Sequence, residues 1–281
     1  YTDNIIDTIR KYLPKKQADW ELVGLVNKDR DIFAFGNDSK IVGRLFEIVA
    51  TSFLRQAANE LGYSFHESTK QTVYPDFWFE KADGRRIAVD VKSTYRQFYA
   101  TGKIKPFNFT QGSFTSYLRN NTKNIDGTYD LYDAHYILAF LYTRDLEAST
   151  GMFRPEDIPN LTASYKDTEI VIAEKYRIGG DKKGSGNTDN ISTFKSTDKE
   201  AFNYGAGPFS FLGENVYEHY WRHYPRYTDS KEKKASLYND LQSYFEWLAS
   251  NGDQEKSDLL KERYEDYKAF VKENGWNIII N

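Results

Sequence analysis

Near the start of the chain, apolar residues recur at helical spacing. Ile5, Ile6, Ile9 and Leu13 fall on one side of residues 2–13, and Pro14 stops the run, which predicts a helix. Residues 20–26 (WELVGLV) and 31–35 (DIFAF) then read as a strand pair around a polar turn. A longer stripe of Val42, Leu45, Phe46, Val49, Phe53 and Leu61 predicts a helix over 41–61, capped by Ser39 and closed by Gly62. Residues 76–80 (DFWFE) and 85–93 (RRIAVDVKS) predict two strands joined through KADG, because Asp-Gly suits a tight hairpin turn.

Further on, HYILAFLY (135–142) and EIVIAEKY (169–176) are apolar enough for central strands. Residues 115–125 and 181–192 read as polar loops. Helical spacing returns over 214–224 and dominates 231–274, with Tyr and Trp on the apolar side. Strands and helices mix without strict alternation, so the expected fold is α/β of the mixed α+β kind, a central mixed β-sheet flanked by helices. The expected organisation is one domain over 1–245 and a helical C-terminal extension over 246–281.

Composition narrows the class. The 281 residues are 40% hydrophobic and 28% charged, an ordinary globular balance. No apolar run approaches the roughly 20 residues that span a bilayer, so no membrane association is expected. The amphipathic start argues against export, and zero cysteine excludes disulfides, thiolate metal sites and a cysteine nucleophile. A bacterial cytoplasmic location fits both. The net charge of −3 weighs against a nucleic-acid binder, but its distribution does not. Residues 81–123 carry nine Lys/Arg against two acids, whereas 229–281 carry eleven acids against eight bases. A local phosphate-binding surface needs such a basic middle, and a solvated basic face produces the same count.

The most strand-like sequence also carries charge where a buried strand is apolar. Alternation puts Ile87, Val89 and Val91 on one face and Ala88, Asp90 and Lys92 on the other. Asp90 and Lys92 are then about 7 Å apart along the strand. The hairpin returns Asp76 to the same end. Two converging carboxylates repel unless a cation sits between them, and hard oxygen donors without His or Cys select Mg²⁺, with Mn²⁺ as a substitute. Lys92 would orient a water or offset transition-state charge. Read by itself, Asp-x-Lys equally suits a solvated ion pair on an edge strand.

Pro75-Asp76, thirteen intervening residues and Asp90-Val91-Lys92 match the PD-(D/E)xK nuclease pattern. Further stretches extend the likeness in order over roughly 30–225: GNDSK…LFEIV (36–49), FTSYLRNNTKNI (114–125) with AHYILAFLYTR (134–144), GSGNTDNI (184–191) and HYWRHY (219–224). On these residues the chain resembles the EcoRV family of type II restriction endonucleases. The resemblance implies a homodimer that clamps double-stranded DNA and hydrolyses both strands of a short palindromic site, with Mg²⁺ as cofactor. It also implies a blunt central cut leaving 5′-phosphate ends, an AT-containing centre such as GATATC or a close variant, and a cognate methyltransferase that acts on the same site without direct binding.

The same resemblance implies residue roles. Asp76 and Asp90 would be metal ligands, Lys92 the water-orienting or charge-stabilising lysine, and Glu47 an accessory acid. Gly184, Ser185, Gly186, Asn187 and Thr188 would form the major-groove recognition loop, where an Asn amide can match adenine. Gln71 and Thr72 fall in the minor-groove loop. Ser116, Asn121, Lys123, Arg144, Thr94, Tyr95, Arg222 and Arg226 fall at backbone-contacting or positioning places. This chain departs from the family pattern at Thr72, Asp189 and Ser93; Thr72 lacks an amide, so minor-groove contacts there must differ, and Asp189 puts an acid beside the recognition loop. Residues 246–281 carry no recognised match; their expected role is to buttress the dimer or the DNA-clamping arm, or plain core packing. A repair or structure-selective nuclease with the same core, and an inactive DNA-binding relative, are the alternatives. The intact Asp76, Asp90, Lys92 set argues against the second.

Overall fold

The amphipathic start folds as helix α1 (Thr2–Lys11), with Ile5 and Ile9 buried. The computed structural model describes residues 2–70, 72–184, 189–226, 229 and 237–280. Strands β1 (Leu25–Val26) and β2 (Ile32–Phe35) pair antiparallel, but residues 20–24 of the expected first strand are not extended into it. Helix α2 (Ser39–Leu61) takes its cap from Asp38 rather than Ser39: the Asp38 carboxylate accepts from the Lys40 and Ile41 amides. Gly62 ends it in the left-handed region, where a side chain would be strained.

Next come β3 (Ser64–Glu67), β4 (Phe77–Glu80) and β5 (Arg86–Tyr95). The turn between β4 and β5 closes through Lys81 and Arg85, with Gly84 at positive φ. After β6 (Thr110–Ser113), the long β7 (Tyr132–Arg144) runs parallel to β5, a pairing that needs the intervening crossover. Strands β8 (Thr150–Phe153) and β9 (Tyr165–Glu174) follow. The main sheet has the order β3-β4-β5-β7-β9. Thus β7 is central as expected, whereas β9 lies at the edge, and the short helix α3 (Lys175–Ile178) replaces the last residues of its apolar run.

Of the stretch read as a polar loop over 181–192, residues 181–183 and 190–192 lie in antiparallel strands, β10 (Gly179–Lys183) and β11 (Asn190–Thr193), residues 185–188 lie outside the described residues, and β6 pairs with β11. Helices α4 (Lys199–Tyr204), α5 (Phe209–Leu212) and α6 (Glu214–His223) follow. Of the stretch over 231–274 where helical spacing dominates, residues 231–236 lie outside the described residues, and the rest holds α7 (Leu241–Ser250) and α8 (Gln254–Asn274), with Gly252 at positive φ between them.

The layers follow from alternation along β7. Tyr136, Leu138, Phe140 and Tyr142 pack with α1 and α2, while Ile137, Ala139 and Leu141 face the second layer with Phe109, Phe194 and Phe202. Helix α7 runs unbroken across positions 245 and 246. Phe245 and Leu248 share a core with Leu260, Tyr264 and Tyr267 of α8 and with Phe114 and Tyr117. Among the described residues, no helix is long and apolar enough to cross a membrane.

Candidate active site on the β4–β5 hairpin

Antiparallel pairing of Phe77 with Val89 and of Trp78 with Ala88 sets Asp76 beside the middle of β5. One Asp76 carboxylate oxygen, Oδ2, accepts the Val91 amide proton at 2.7 Å, and the Asp76 carbonyl accepts from the Ser68 amide at 2.9 Å. Along β5, Ile87, Val89 and Val91 enter the α1/α2 core, so Asp90 and Lys92 point the other way, as alternation requires. Asp90 is only 4% exposed. The two side chains lean together until Lys92 Nζ lies 2.6 Å from Asp90 Oδ2.

Burial, and then the Asp90 charge, push the Asp76 carboxyl up to about 8, against the lowering effect of Lys92 and the Val91 amide. Burial disfavours the Lys92 ammonium, but Asp90 and Asp76 outweigh it and hold its pKa above the usual lysine value. Glu47 arrives from α2. This helix passes close to the end of β5 at Gly43, where an added Cβ would lie 3.2 Å from Ser93 Oγ, and Glu47 follows one turn later, ion-paired with Arg44. Arg44, Glu47, Glu67, Lys70 and Asp76 line a cleft of about 300 Å³. The structure therefore brings Asp76, Asp90, Lys92 and Glu47 to one site.

The donor set fits a hard divalent cation. Asp76 resists ionising beside Asp90, and a cation between them would remove that conflict. Among the described residues no three His, Asp or Glu side chains converge tightly enough to hold a metal alone. Such an ion would keep waters or substrate oxygens in its shell, as Mg²⁺ prefers.

A buried polar group behind Asp90 was not anticipated from sequence. Lys175, 4% exposed, donates to the Tyr117 hydroxyl at 2.5 Å and lies 4.5 Å from the Tyr74 ring centroid. Burial drives its pKa down to about 7, partly offset by Asp90. The Tyr74 hydroxyl is 2.8 Å from His135 Nδ1, and burial lowers the His135 pKa to about 3. The signal for His135 was present: period two along β7 puts it on the Ile137 face, the face of Asp90. Lys175 gave none, since a lysine at the end of an apolar strand ordinarily meets solvent.

The residues assigned to DNA by resemblance divide into groups. Gln71, Ser185, Gly186, Asn187 and Thr188 lie outside the described residues. Gly184, whose amide donates to the Asn190 carbonyl at 2.7 Å, closes the β10–β11 pairing beside them. Thr72 is exposed on the segment leading to Asp76. Thr94 and Tyr95 end β5, and the Arg144 guanidinium lies 5.1 Å over the Tyr95 ring while bonding Asn37. Asn121 and Lys123 are exposed on the 115–125 turns, and Lys123 Nζ donates to the Thr115 carbonyl at 3.0 Å. Ser116 is buried and its hydroxyl accepts from Asn124, so it orders those turns from inside. Arg222 donates to the Leu118 carbonyl at 2.7 Å, and Arg226 pairs with Asp229 at 3.3 Å.

The basic run over 81–123 is less basic in space. Lys81 and Arg85 pair with Asp133, Arg86 with Glu80 and Asp126, Lys92 with Asp90, and Arg96 with Glu169. Most of these acids come from outside the run.

The family model of the EcoRV restriction endonucleases matches residues 16–249. The chain is 33% identical over 233 residues to the type II restriction enzyme EcoRV of Escherichia coli, covering 82% of this chain and 91% of that enzyme. Among solved structures, an NlaIV restriction endonuclease aligns with a TM-score of 0.37 at 13% identity, covering 100% of this chain and 90% of that one.

Proposed function

The chain belongs to the EcoRV family and is a type II restriction endonuclease, and from that premise we propose that it cuts both strands of a short palindromic DNA site, blunt, at the centre. The observation that carries this reading is the convergence of Asp76, Asp90 and Lys92 on one hairpin beside a polar cleft. Asp76 and Asp90 would hold Mg²⁺, with Glu47 nearby. When bound, the ion polarises a phosphoryl oxygen and eases deprotonation of a water.

Acidic neighbours raise the Lys92 pKa, so its ammonium donates hydrogen bonds rather than abstracting a proton. Its ammonium orients the attacking water and offsets the charge gathered around phosphorus in the pentavalent transition state. Water oxygen bonds to phosphorus as its proton passes to solvent, the bond from phosphorus to the 3′ oxygen breaks, that oxygen takes a proton from solvent, and the products are a 5′-phosphate and a 3′-hydroxyl. Asp90, ion-paired with Lys92, positions that ammonium.

A palindrome calls for two copies related by a two-fold axis. The small sheet β1-β2-β8 supports self-association: Leu25, Phe33 and Met152 are in register across it, 54%, 45% and 62% exposed. Such an apolar row on a monomer surface is a docking feature. Gly184 to Thr188 would read bases, and Lys123 would meet phosphate. A central pyrimidine–purine step such as TA would bend at least cost.

Digestion of a plasmid of known sequence with Mg²⁺, followed by sequencing of fragment ends, tests all of this. Discrete fragments with blunt 5′-phosphate ends at one palindrome are expected. Nicks at junctions, or intact DNA, would remove the proposal.

A further inference from the structure

The family match stops at residue 249, before α8 and the tail that follows it. Those residues return to the back of the β10–β11 hairpin. Ile279 pairs antiparallel with Lys195, two residues beyond β11, and its amide donates to the Lys195 carbonyl at 3.0 Å. Next along, Ser196 is fully buried, and its hydroxyl donates to the Trp276 carbonyl at 2.5 Å. The Trp276 ring sits between Tyr204 and Phe270, at centroid distances of 5.0 and 5.8 Å.

On the other strand, Asp181 ties β10 to the start of α7: its carboxylate accepts from the Leu241 amide at 3.2 Å and its carbonyl from the Tyr220 hydroxyl at 2.6 Å. Between these fastenings lies a cavity of about 210 Å³, lined by Asp181 and Lys183 of β10, Thr193 of β11, Tyr264 and Tyr267 of α8, and Ile280. Among the described residues the hairpin has β6 along one edge, no partner in its sheet on the β10 edge, and empty volume behind it. With β6 and the Asp181 bonds holding its two strands, its tilt is set at its base. Lys195 and Ser196 continue β11 beyond that base, where Ser196 also pairs with Phe107, and the tail fixes them there.

We propose that α8 and the tail brace the recognition hairpin, and that Trp276 and Ile279 are positioning residues for sequence discrimination. This deepens the reading that residues 184–188 contact bases and rests on it. Base-edge hydrogen bonds tolerate little displacement, so a hairpin free to tilt loses selectivity before it loses the phosphate contacts that hold DNA. Core packing alone makes a different prediction: lower stability with unchanged selectivity.

The test compares kcat/KM on the preferred palindrome and on each single-base-pair variant of it, well below the melting temperature. The proteins are the full chain, a version lacking residues 277–281, Ser196→Ala, and Asn187→Ala. Ile9→Ala is a stability control, because Ile9 is fully buried in the α1/α2 core, which contains no residue of the hairpin, α8 or the tail. Deletion of 277–281 and Ser196→Ala should each lower the preferred-to-variant ratio fivefold or more while the preferred site loses less, and Ile9→Ala should leave the ratio unchanged. Equal loss on all sites, or an unchanged ratio in both hairpin-side variants, overturns the brace. If Asn187→Ala relaxes discrimination and those two do not, only the brace falls. If Asn187→Ala leaves discrimination intact, the hairpin is not the base reader and both readings fall.

Discussion

Asp76 reaches past its own strand to accept the Val91 amide proton at 2.7 Å, so the carboxylate proposed to hold the metal also hydrogen-bonds the strand that carries Asp90 and Lys92. The proposal therefore joins catalysis and local stability at one side chain. Asp76→Asn keeps an acceptor for Val91, and Asp76→Ala does not. Both should abolish cleavage. At pH 6, Asp76→Ala should be less stable than Asp76→Asn by about 1–3 kcal/mol, the cost of an orphaned buried amide. Urea midpoints decide this, and equal midpoints would mean that the Val91 contact adds nothing.

Lys92→Ala should lower the cleavage rate by a factor on the order of 10²–10³, the effect of removing one preorganised transition-state donor. DNA affinity should change little. Single-turnover cleavage alongside filter binding separates the two, and a defect confined to affinity would reassign Lys92 to substrate binding.

Lys175 titrates inside the fold. Its pKa falls from 10.5 to about 7, chiefly through burial, with Asp90 and Glu218 opposing and Lys92 assisting. Between these values the unfolded chain holds the proton and the folded chain does not, so stability rises with pH across that window. The cost of burying the charge is full below about pH 7. Lys175→Met should therefore be more stable than the parent at pH 6, by a margin that shrinks steadily towards pH 10. Denaturation curves at pH 6, 8 and 9.5 check this; a constant margin means Lys175 stays charged when folded.

Phe33 sits between Leu25 and Met152 in the exposed row of the small sheet. Phe33→Asp puts a charge at its centre and should convert a dimer to monomers in sedimentation equilibrium. Double-strand cutting at micromolar protein should fall at least tenfold, while the melting temperature holds. A dimer that survives this change uses another surface.

Much of the site was legible before folding. Strand alternation alone puts Asp90 and Lys92 on one face, and the Asp83-Gly84 turn returns Asp76 to them, because both effects act over a few residues. The N-cap of α2 was missed by one position, since Asp38 and Ser39 both suit a cap and only backbone geometry separates them. The β10–β11 hairpin was read as a loop because its residues are polar; it owes its extended form to pairing with β6, which lies some 80 positions away (Asn190 with Ser113).

By itself, the sequence determined the local periodicities, the helix ends marked by glycine, and which three charges share a hairpin. Tertiary structure alone decided that α2 lays Glu47 beside them, that acids from outside the run pair with Lys81, Arg85, Arg86 and Arg96, that Lys175 is buried among tyrosines, and that the tail returns to Lys195. The physical reason is range. Dihedral preference and side-chain alternation act over one or two turns, whereas burial and ion pairing depend on which distant segments the core brings together.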